Sequence, residues 1–278
     1  MQYPASYKIY WIQVILVFLF KAITSVAIAQ SNVLLASNTP TIGQSEISKR
    51  LSRKFWRDAT RLTLRFKSEQ EDLRFQSIRI PRQSTQDFYD ILTQIYLTNE
   101  TAKSIERCNV HTFPDPSIDH FVVIFNRSAE WAAPLHQGIS ETNSDEINDL
   151  LDEYDLVIEK HVQWNDDQNA ITIRSKEPLN MAALANEFYN IDNITSIDLG
   201  IPKTGGNDIQ IRRVQDAWKV EYILRFGSYI SGKGQSHKWT YKAFDDGTIS
   251  FISETGDEIP AWMRCQFQPN TMFTSGRL

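Results

Sequence analysis

The hydrophobic residues in the middle of the chain form short apolar runs, typical of strands, and stripes with a spacing of three or four residues, typical of helices. These patterns predict strands and helices in alternation. Residues 121–125 are continuously apolar, which is typical of a central strand in a sheet covered on one face. Further strands are predicted at residues 156–164, 170–174 and 194–199. One predicted helix opens at Asn143 with Glu146, and another follows Pro178. Their apolar stripes are Ile147, Leu150, Leu151 and Tyr154, and Met181, Leu184, Ala185 and Phe188.

The resulting order, β-α-β-β-α-β, predicts a ferredoxin-like sandwich over residues 113–204. Two helices would then cover one face of a four-stranded antiparallel sheet. Together with the segments on either side of it, this sandwich places the chain in the α+β fold class.

The segment before the sandwich, residues 47–112, is predicted to be a β-β-α unit. Alternation of apolar and polar residues favours strands at 60–66 and 75–80, the second ending at Pro81. Ser84 with Asp87 then predicts a helix. The apolar face of that helix is Phe88, Ile91, Leu92 and Ile95.

The segment after the sandwich, residues 205–278, predicts a small antiparallel meander. Val220, Tyr222, Leu224 and Phe226 alternate with other residues, and so do Trp239, Tyr241 and Ala243. The run Asp245-Asp246-Gly247 is typical of a hairpin turn.

The first 29 residues read as a cleavable signal peptide. An apolar run, residues 11–20, is followed by small residues that end in Ala27-Ile28-Ala29, the pattern that a signal peptidase cuts. Lys21 interrupts the apolar run, so it is shorter than a membrane span. We therefore expect cleavage before Gln30, export to the periplasm or medium, no transmembrane segment in the mature chain, and a flexible polar leader at 30–46.

Composition excludes several classes of protein. The 278 residues are 23% charged and 41% hydrophobic, which is unlike disordered or polytopic membrane proteins. The net charge is −5 and becomes −7 after cleavage, which disfavours nucleic acid as a partner. Residues 46–67 are nevertheless rich in Lys and Arg, and residues 145–167 are rich in Asp and Glu. These stretches read as two solvated faces that attract each other weakly, or the first as a basic arm for an anionic surface or polymer.

The chain has two cysteines, Cys108 and Cys265. In an oxidising compartment an even pair is more often bridged than free, so a Cys108–Cys265 disulfide is predicted. The alternative is two free buried thiols.

The densest polar cluster lies at residues 111–120. His111, Asp115, Asp119 and His120 carry imidazole and carboxylate groups that could hold Zn²⁺ or another divalent ion. The His-x-x-x-His spacing is missing and two prolines interrupt the cluster, so a loop that leads into the strand at 121–125 is the alternative.

The long loop at residues 127–142 is the second candidate site. It contains Trp131 and His136, and loops of this length inside compact domains are often functional. An exposed Trp131 would be a binding anchor, whereas a buried one would cap the core. No catalytic residue, resident metal or cofactor is assigned.

Residues 146–200 resemble the ferredoxin-like pro-region of secreted subtilisin-type proteases. The resemblance lies in Leu150-Leu151, in Tyr154-Asp155-Leu156-Val157, and in the helix Leu184-Ala185-Asn186-Glu187-Phe188. Such pro-regions chaperone or inhibit a protease domain, so the resemblance implies a freestanding protease inhibitor.

Residues 226–252 resemble uncharacterised secreted bacterial proteins with a W-G-D-C-x-x-G-C pattern followed by H-x-W. Gly227, Gly232, His237 and Trp239 match that pattern, whereas Tyr229 and Lys233 replace its cysteines. This resemblance implies no particular activity.

The sequence thus favours a secreted, non-enzymatic module that binds another extracellular or cell-surface protein. A small extracellular hydrolase that uses His111, Asp115, Asp119 or His136 is the alternative, and a protease inhibitor is a third possibility.

Overall fold

A computed structural model describes residues 47–70, 77–202, 205–228 and 233–263. The predicted signal peptide, the cleavage before Gln30 and the leader at 30–46 lie outside these residues and stay predictions. Within the described ranges, no helix combines the length and the apolar character that crossing a membrane requires.

The N-terminal segment is helical, not the expected β-β-α unit. Its elements are α1 (Lys49–Gln70), α2 (Arg82–Thr98) and α3 (Glu100–Arg107). The strand predicted at 60–66 is wrong, because that stretch lies inside α1. Leu62 and Phe66 belong to a helical stripe that begins at Leu51 and continues through Phe55 and Ala59. This stripe, with its spacing of three and four residues, overrides the local alternation.

The strand predicted at 75–80 is also wrong over its described part, residues 77–80. The carbonyl oxygens of Ser77 and Ile78 accept hydrogen bonds from Asn180 at 3.1 and 2.9 Å, instead of pairing with a strand. This segment therefore fastens the start of a later helix.

The helix predicted with Ser84 as its cap is confirmed as α2, although its cap is Pro81, three residues earlier. Pro81 has φ −62° and donates no N–H, so it leads directly into the first turn. Phe88, Leu92 and Ile95 are buried as expected.

The middle of the chain forms a four-stranded antiparallel sheet with two helices. Its elements are β1 (His120–Asn126), a 3-10 helix (Glu130–Gln137), α4 (Asp145–Glu153), β2 (Leu156–Gln163), β3 (Gln168–Ser175), α5 (Met181–Tyr189) and β4 (Ile194–Asp198). The strand order is β2-β3-β1-β4, which confirms the central position predicted for the apolar strand. The helix α4 begins one residue later than predicted, because the Ser144 hydroxyl accepts the N–H of Ile147 at 3.3 Å.

The C-terminal part of the chain forms a second antiparallel sheet. Its strands are β5 (Asp208–Val214), β6 (Ala217–Ser228), β7 (Lys233–Phe244) and β8 (Ile249–Gly256), paired in chain order, and a short 3-10 helix (Ala261–Met263) follows. The turn at Gly247, whose φ is +86°, joins β7 to β8 as predicted.

Two hydrophobic cores hold these elements together. In one, α1, α2 and α3 pack on the second sheet through residues such as Phe55, Leu92 and Tyr241. In the other, α4, α5 and the 3-10 helix pack on the first sheet around Phe121 and Phe188. The first and last segments of the chain thus share one core, with the middle segment between them in sequence.

Candidate functional site

A row of basic side chains on α1 holds the segment that connects α3 to β1. The row consists of Lys54, Arg57, Arg61 and Arg65, which recur every three or four residues and so share one face. The Arg57 Nη2 atom donates to Asp119 Oδ2 at 2.6 Å, and the Arg65 Nη1 atom donates to Asp208 Oδ1 at 2.8 Å. Much of the basic stretch predicted from composition is therefore neutralised within the fold.

His111 lies at the centre of a partly buried polar network. Its Nδ1 atom is 2.7 Å from Asp58 Oδ2, and the other oxygen of Asp58 accepts hydrogen bonds from the backbone N–H and the hydroxyl of Thr112. The His111 Nε2 atom lies 3.3 Å from Glu106 Oε2 and 3.0 Å from Lys54 Nζ. Both ring nitrogens thus already have protein partners.

The charge state of His111 follows from this network. Burial by itself lowers the pKa of His111, but the contacts with Asp58 and Glu106 raise it to about 9. The Lys54 ammonium opposes the imidazolium charge, and the two carboxylates outweigh it. A ring that is protonated at neutral pH and engaged at both nitrogens does not act as a general base, so the hydrolase alternative gains no support here.

We expect the stability of the protein to fall between neutral pH and pH ~9.5 because of His111. The pKa of His111 is raised to about 9 in the fold, so its stabilisation is complete below the unfolded pKa and is lost as pH rises through 9. Over this pH range the expected loss is about 2 kcal/mol, measured as the free energy of unfolding in urea. A His111→Gln variant with the wild-type pH slope would contradict this assignment.

The four predicted metal ligands do not converge. The two oxygens of Asp119 are taken by His120 Nδ1 at 2.8 Å and by Arg57, and these partners hold the pKa of Asp119 below its usual range although burial raises it. Asp115 lines a different groove, beside Asp208. In the part of the chain that the structure describes, no three His, Cys, Asp or Glu side chains form a metal-binding group.

Trp131 is buried, so of the two alternatives for loop 127–142 its position agrees with a residue that caps the core, not with an exposed anchor. The residue is 8% exposed, and its ring centroid lies 4.5 Å from that of Phe125. Its indole N–H donates to Asp192 O at 3.0 Å. The loop folds inward because the 3-10 helix carries Trp131 onto the core of the first sheet. His136, at the end of the same helix, is exposed.

Cys108 is buried at the C-terminal end of α3. Cys265 lies outside the described residues, so the Cys108–Cys265 disulfide stays a prediction.

The acid-rich stretch at residues 145–167 does not pair with the basic stretch. Glu159 contacts Arg174 at 3.0 Å, and Asp155 contacts Lys176 at 2.5 Å. Between residues 47–67 and 145–167, both within the described ranges, no ion pair forms. The expected weak attraction of these two faces is therefore absent as a direct contact.

A group of basic side chains borders two adjoining hollows of about 520 and 560 Å³, which share Trp56, Glu177 and Pro178. We call this surface the Trp56 groove. Its six cations are Lys49, Arg53, Arg57, Arg79, Arg82 and Lys176. The Trp56 ring packs against Tyr89 with 5.7 Å between centroids. Among the described residues that line the two hollows, Glu177 is the one acidic residue.

Four of the six cations contact no carboxylate of a described residue, and one of these four, Arg79, instead donates to the backbone oxygen of Glu153. Lys49, Arg53 and Arg82 are exposed and form no ion pair with any residue that the structure describes. Arg57 and Lys176, by contrast, each contact a carboxylate. Within the basic stretch at residues 46–67, the exposed cations that line the groove and have no acidic partner among the described residues, Lys49 and Arg53, lie at the start of α1.

The sequence indicated only part of the groove. The basic composition of residues 46–67 indicated the part of the chain that forms α1. Nothing in the sequence distinguished Trp56 from the other apolar residues. Arg79, Arg82 and Lys176 reach the groove from other segments, and nothing in their local sequence marks them as neighbours of Trp56.

No protein-family model, curated protein or solved structure matches this chain.

Proposed function

We propose that this protein is a non-enzymatic binding module whose Trp56 groove takes an acidic segment of a partner protein. The main support for the proposal is that three exposed cations, Lys49, Arg53 and Arg82, lie beside the aromatic ring of Trp56 and contact no carboxylate among the described residues. Guanidinium and ammonium groups that lack internal partners are the usual means by which proteins bind carboxylates.

The position of the cations in their helices supports this interpretation. Lys49 lies in the first turn of α1 and Arg82 in the first turn of α2, and neither turn contains an acidic residue. The N-terminal end of a helix carries partial positive charge, so cations there are unfavourable unless an anion offsets them. Binding of an anionic segment would relieve this repulsion.

The shape and floor of the groove favour a peptide with an apolar residue among its acids. Each hollow, at about 520 or 560 Å³, falls in the size range of ligand pockets. The half-buried Trp56 offers a ring face on which an aromatic or aliphatic side chain can pack.

A protein segment fits the charge distribution better than a nucleic acid does. The whole chain is acidic, at −5, and the acid-rich helix α4 ends near the groove, where Arg79 Nη2 donates to Glu153 O at 3.2 Å. A long polyanion would meet these carboxylates, whereas a short acidic segment would not.

We expect a fluorescein-labelled, Glu-rich peptide with one central Phe to bind the full chain and to release as salt is raised. The Arg53→Glu/Arg82→Glu variant should weaken binding about tenfold or more, because two charge-assisted contacts become repulsive. Fluorescence anisotropy measures both affinities.

The matched control is Arg127→Glu/Lys160→Glu, which changes the net charge equally at two exposed positions that do not line the groove. Its affinity should stay within about twofold of wild type. If both double variants weakened peptide binding equally, the effect would come from net charge and not from the groove, which would contradict the proposal. No binding of the peptide by the wild type would also overturn it.

We also propose that residues 120–198 form a ferredoxin-like sandwich in an exported protein. The element order β-α-β-β-α-β, the antiparallel strand order β2-β3-β1-β4 and the packing of α4 and α5 in one core support this arrangement. The pattern of residues 11–29 supports export, which N-terminal sequencing of secreted material beginning at Gln30 would test.

A further inference from the structure

One buried ring nitrogen on the first sheet has no hydrogen-bonding partner within the described ranges. His161 lies on the edge strand β2, and its Nδ1 atom is 3.2 Å from Leu135 O. The carbonyl can only accept, so Nδ1 carries the proton and the Nε2 atom of the neutral ring has a bare lone pair. That Nε2 atom is buried and makes no hydrogen bond to any residue that the structure describes. Buried polar atoms without partners are rare in native proteins and call for an explanation.

A β-bulge brings His161 to this position. Ile158 pairs with Ile173, and Lys160 pairs with the preceding residue of β3, so Glu159 is an extra residue in β2. Strict alternation from Ile158 would turn Lys160 toward the helices. The register shift instead places His161 opposite Ile171, a core residue, on the covered face of the sheet. Bulges often aim a side chain into a functional site.

A second imidazole lies beside the first. The ring of His136, at the end of the 3-10 helix, is 5.1 Å from that of His161 between centroids. His136 is exposed, and its ring makes no hydrogen bond to another described residue. Two imidazoles on one tetrahedral ion, with metal–nitrogen distances of about 2.0–2.1 Å, have ring centroids about 5 Å apart.

We propose that His136 and His161 together bind one divalent transition-metal ion, with water completing the coordination. The hydrogen bond from His161 Nδ1 to a backbone carbonyl is the arrangement that fixes the tautomer of metal-binding histidines and orients Nε2 toward the ion. Two neutral nitrogen donors favour first-row transition-metal ions such as Zn²⁺ and Cu²⁺, of which Cu²⁺ binds most tightly. They disfavour Mg²⁺ and Ca²⁺, which prefer oxygen ligands. The ion reaches the buried Nε2 atom when the exposed His136 ring turns.

Aromatic residues form the inner wall of this pair. The His161 ring stacks on Phe125 with 6.1 Å between centroids, and Phe125 also contacts Trp131. These contacts keep the His161 ring in one orientation. The exposed His136 ring can turn, so it is the ligand that adjusts to the ion.

The test is titration of the full chain with Cu²⁺, and separately with Zn²⁺, by calorimetry and by the electron paramagnetic resonance spectrum of bound Cu²⁺. We expect one saturable site per chain, with imidazole nitrogen couplings in the spectrum. His136→Gln and His161→Gln should each weaken binding about tenfold or more. His120→Gln is the control, because His120 already contacts Asp119, and it should leave binding unchanged.

His161→Gln could disturb the core, so His136→Gln, a change at an exposed ring, decides the outcome. Retention of the Cu²⁺ site in a folded His136→Gln protein would overturn the proposal, as would loss of the site in His120→Gln or no saturable binding by wild type. A metal-dependent rise in melting temperature that His136→Gln abolishes would support it.

Discussion

Replacement of Asp58 by alanine is expected to lower the free energy of unfolding by about 3–5 kcal/mol. Asp58 is 1% exposed and binds the His111 ring together with the N–H and hydroxyl of Thr112. Removal of the carboxylate leaves a buried imidazolium and two donors with fewer partners, and their desolvation is then uncompensated. Urea unfolding at neutral pH, followed by circular dichroism, measures the effect.

Two further variants separate the buried network from a general effect of charge. Asp87→Ala removes an exposed carboxylate from α2 and should change stability by less than about 0.5 kcal/mol. The double variant Asp58→Ala/His111→Gln should lose less than the sum of the single variants, because it removes both members of one ion pair. Equal losses for Asp58→Ala and Asp87→Ala would show that the network contributes nothing special.

The middle of the fold was predictable because each element there carries its own signal. Residues 121–125 are apolar without interruption, and a strand of that kind has to be central in its sheet. Ile147 and Leu151 mark one face of α4 without reference to the rest of the chain, and both are buried. Local pattern and tertiary burial agree in this region.

The N-terminal helix was missed because a short window satisfied two periods at once. Leu62, Leu64 and Phe66 alternate as in a strand, yet Leu62 and Phe66 are also four residues apart, as on a helix. Only the earlier apolar residues of the stripe, from Leu51 onward, distinguish a helix from a strand here. A helix of 22 residues presents that whole stripe to the core.

The shared core and the functional surfaces depend on contacts between distant parts of the chain. Arg65 and Asp208 pair across 143 residues, and no local pattern links them. The approach of Arg82 and Lys176 to Trp56 is of the same kind. Composition could indicate a basic stretch, but only the fold shows which of its cations are left without partners.

Replacement of Trp131 by alanine is the second change with a large expected effect, about 3–5 kcal/mol of lost stability. Its indole packs on Phe125 in the core, and its N–H donates to Asp192 O. Truncation leaves a cavity beside the first sheet and removes the hydrogen bond to Asp192 O. The measurement is again urea unfolding at neutral pH.

Trp164→Ala is the matched control, because the Trp164 side chain is 55% exposed at the end of β2 and its loss should change stability by less than about 0.5 kcal/mol. Trp131→Phe divides the large effect into its parts. It keeps a ring against Phe125 but has no N–H for Asp192 O, so it should recover most of the packing and still lose the hydrogen bond, about 0.5–1.5 kcal/mol. Wild-type stability of Trp131→Ala would instead mean that the indole is not needed in the core, and a role as a binding anchor would then regain its support.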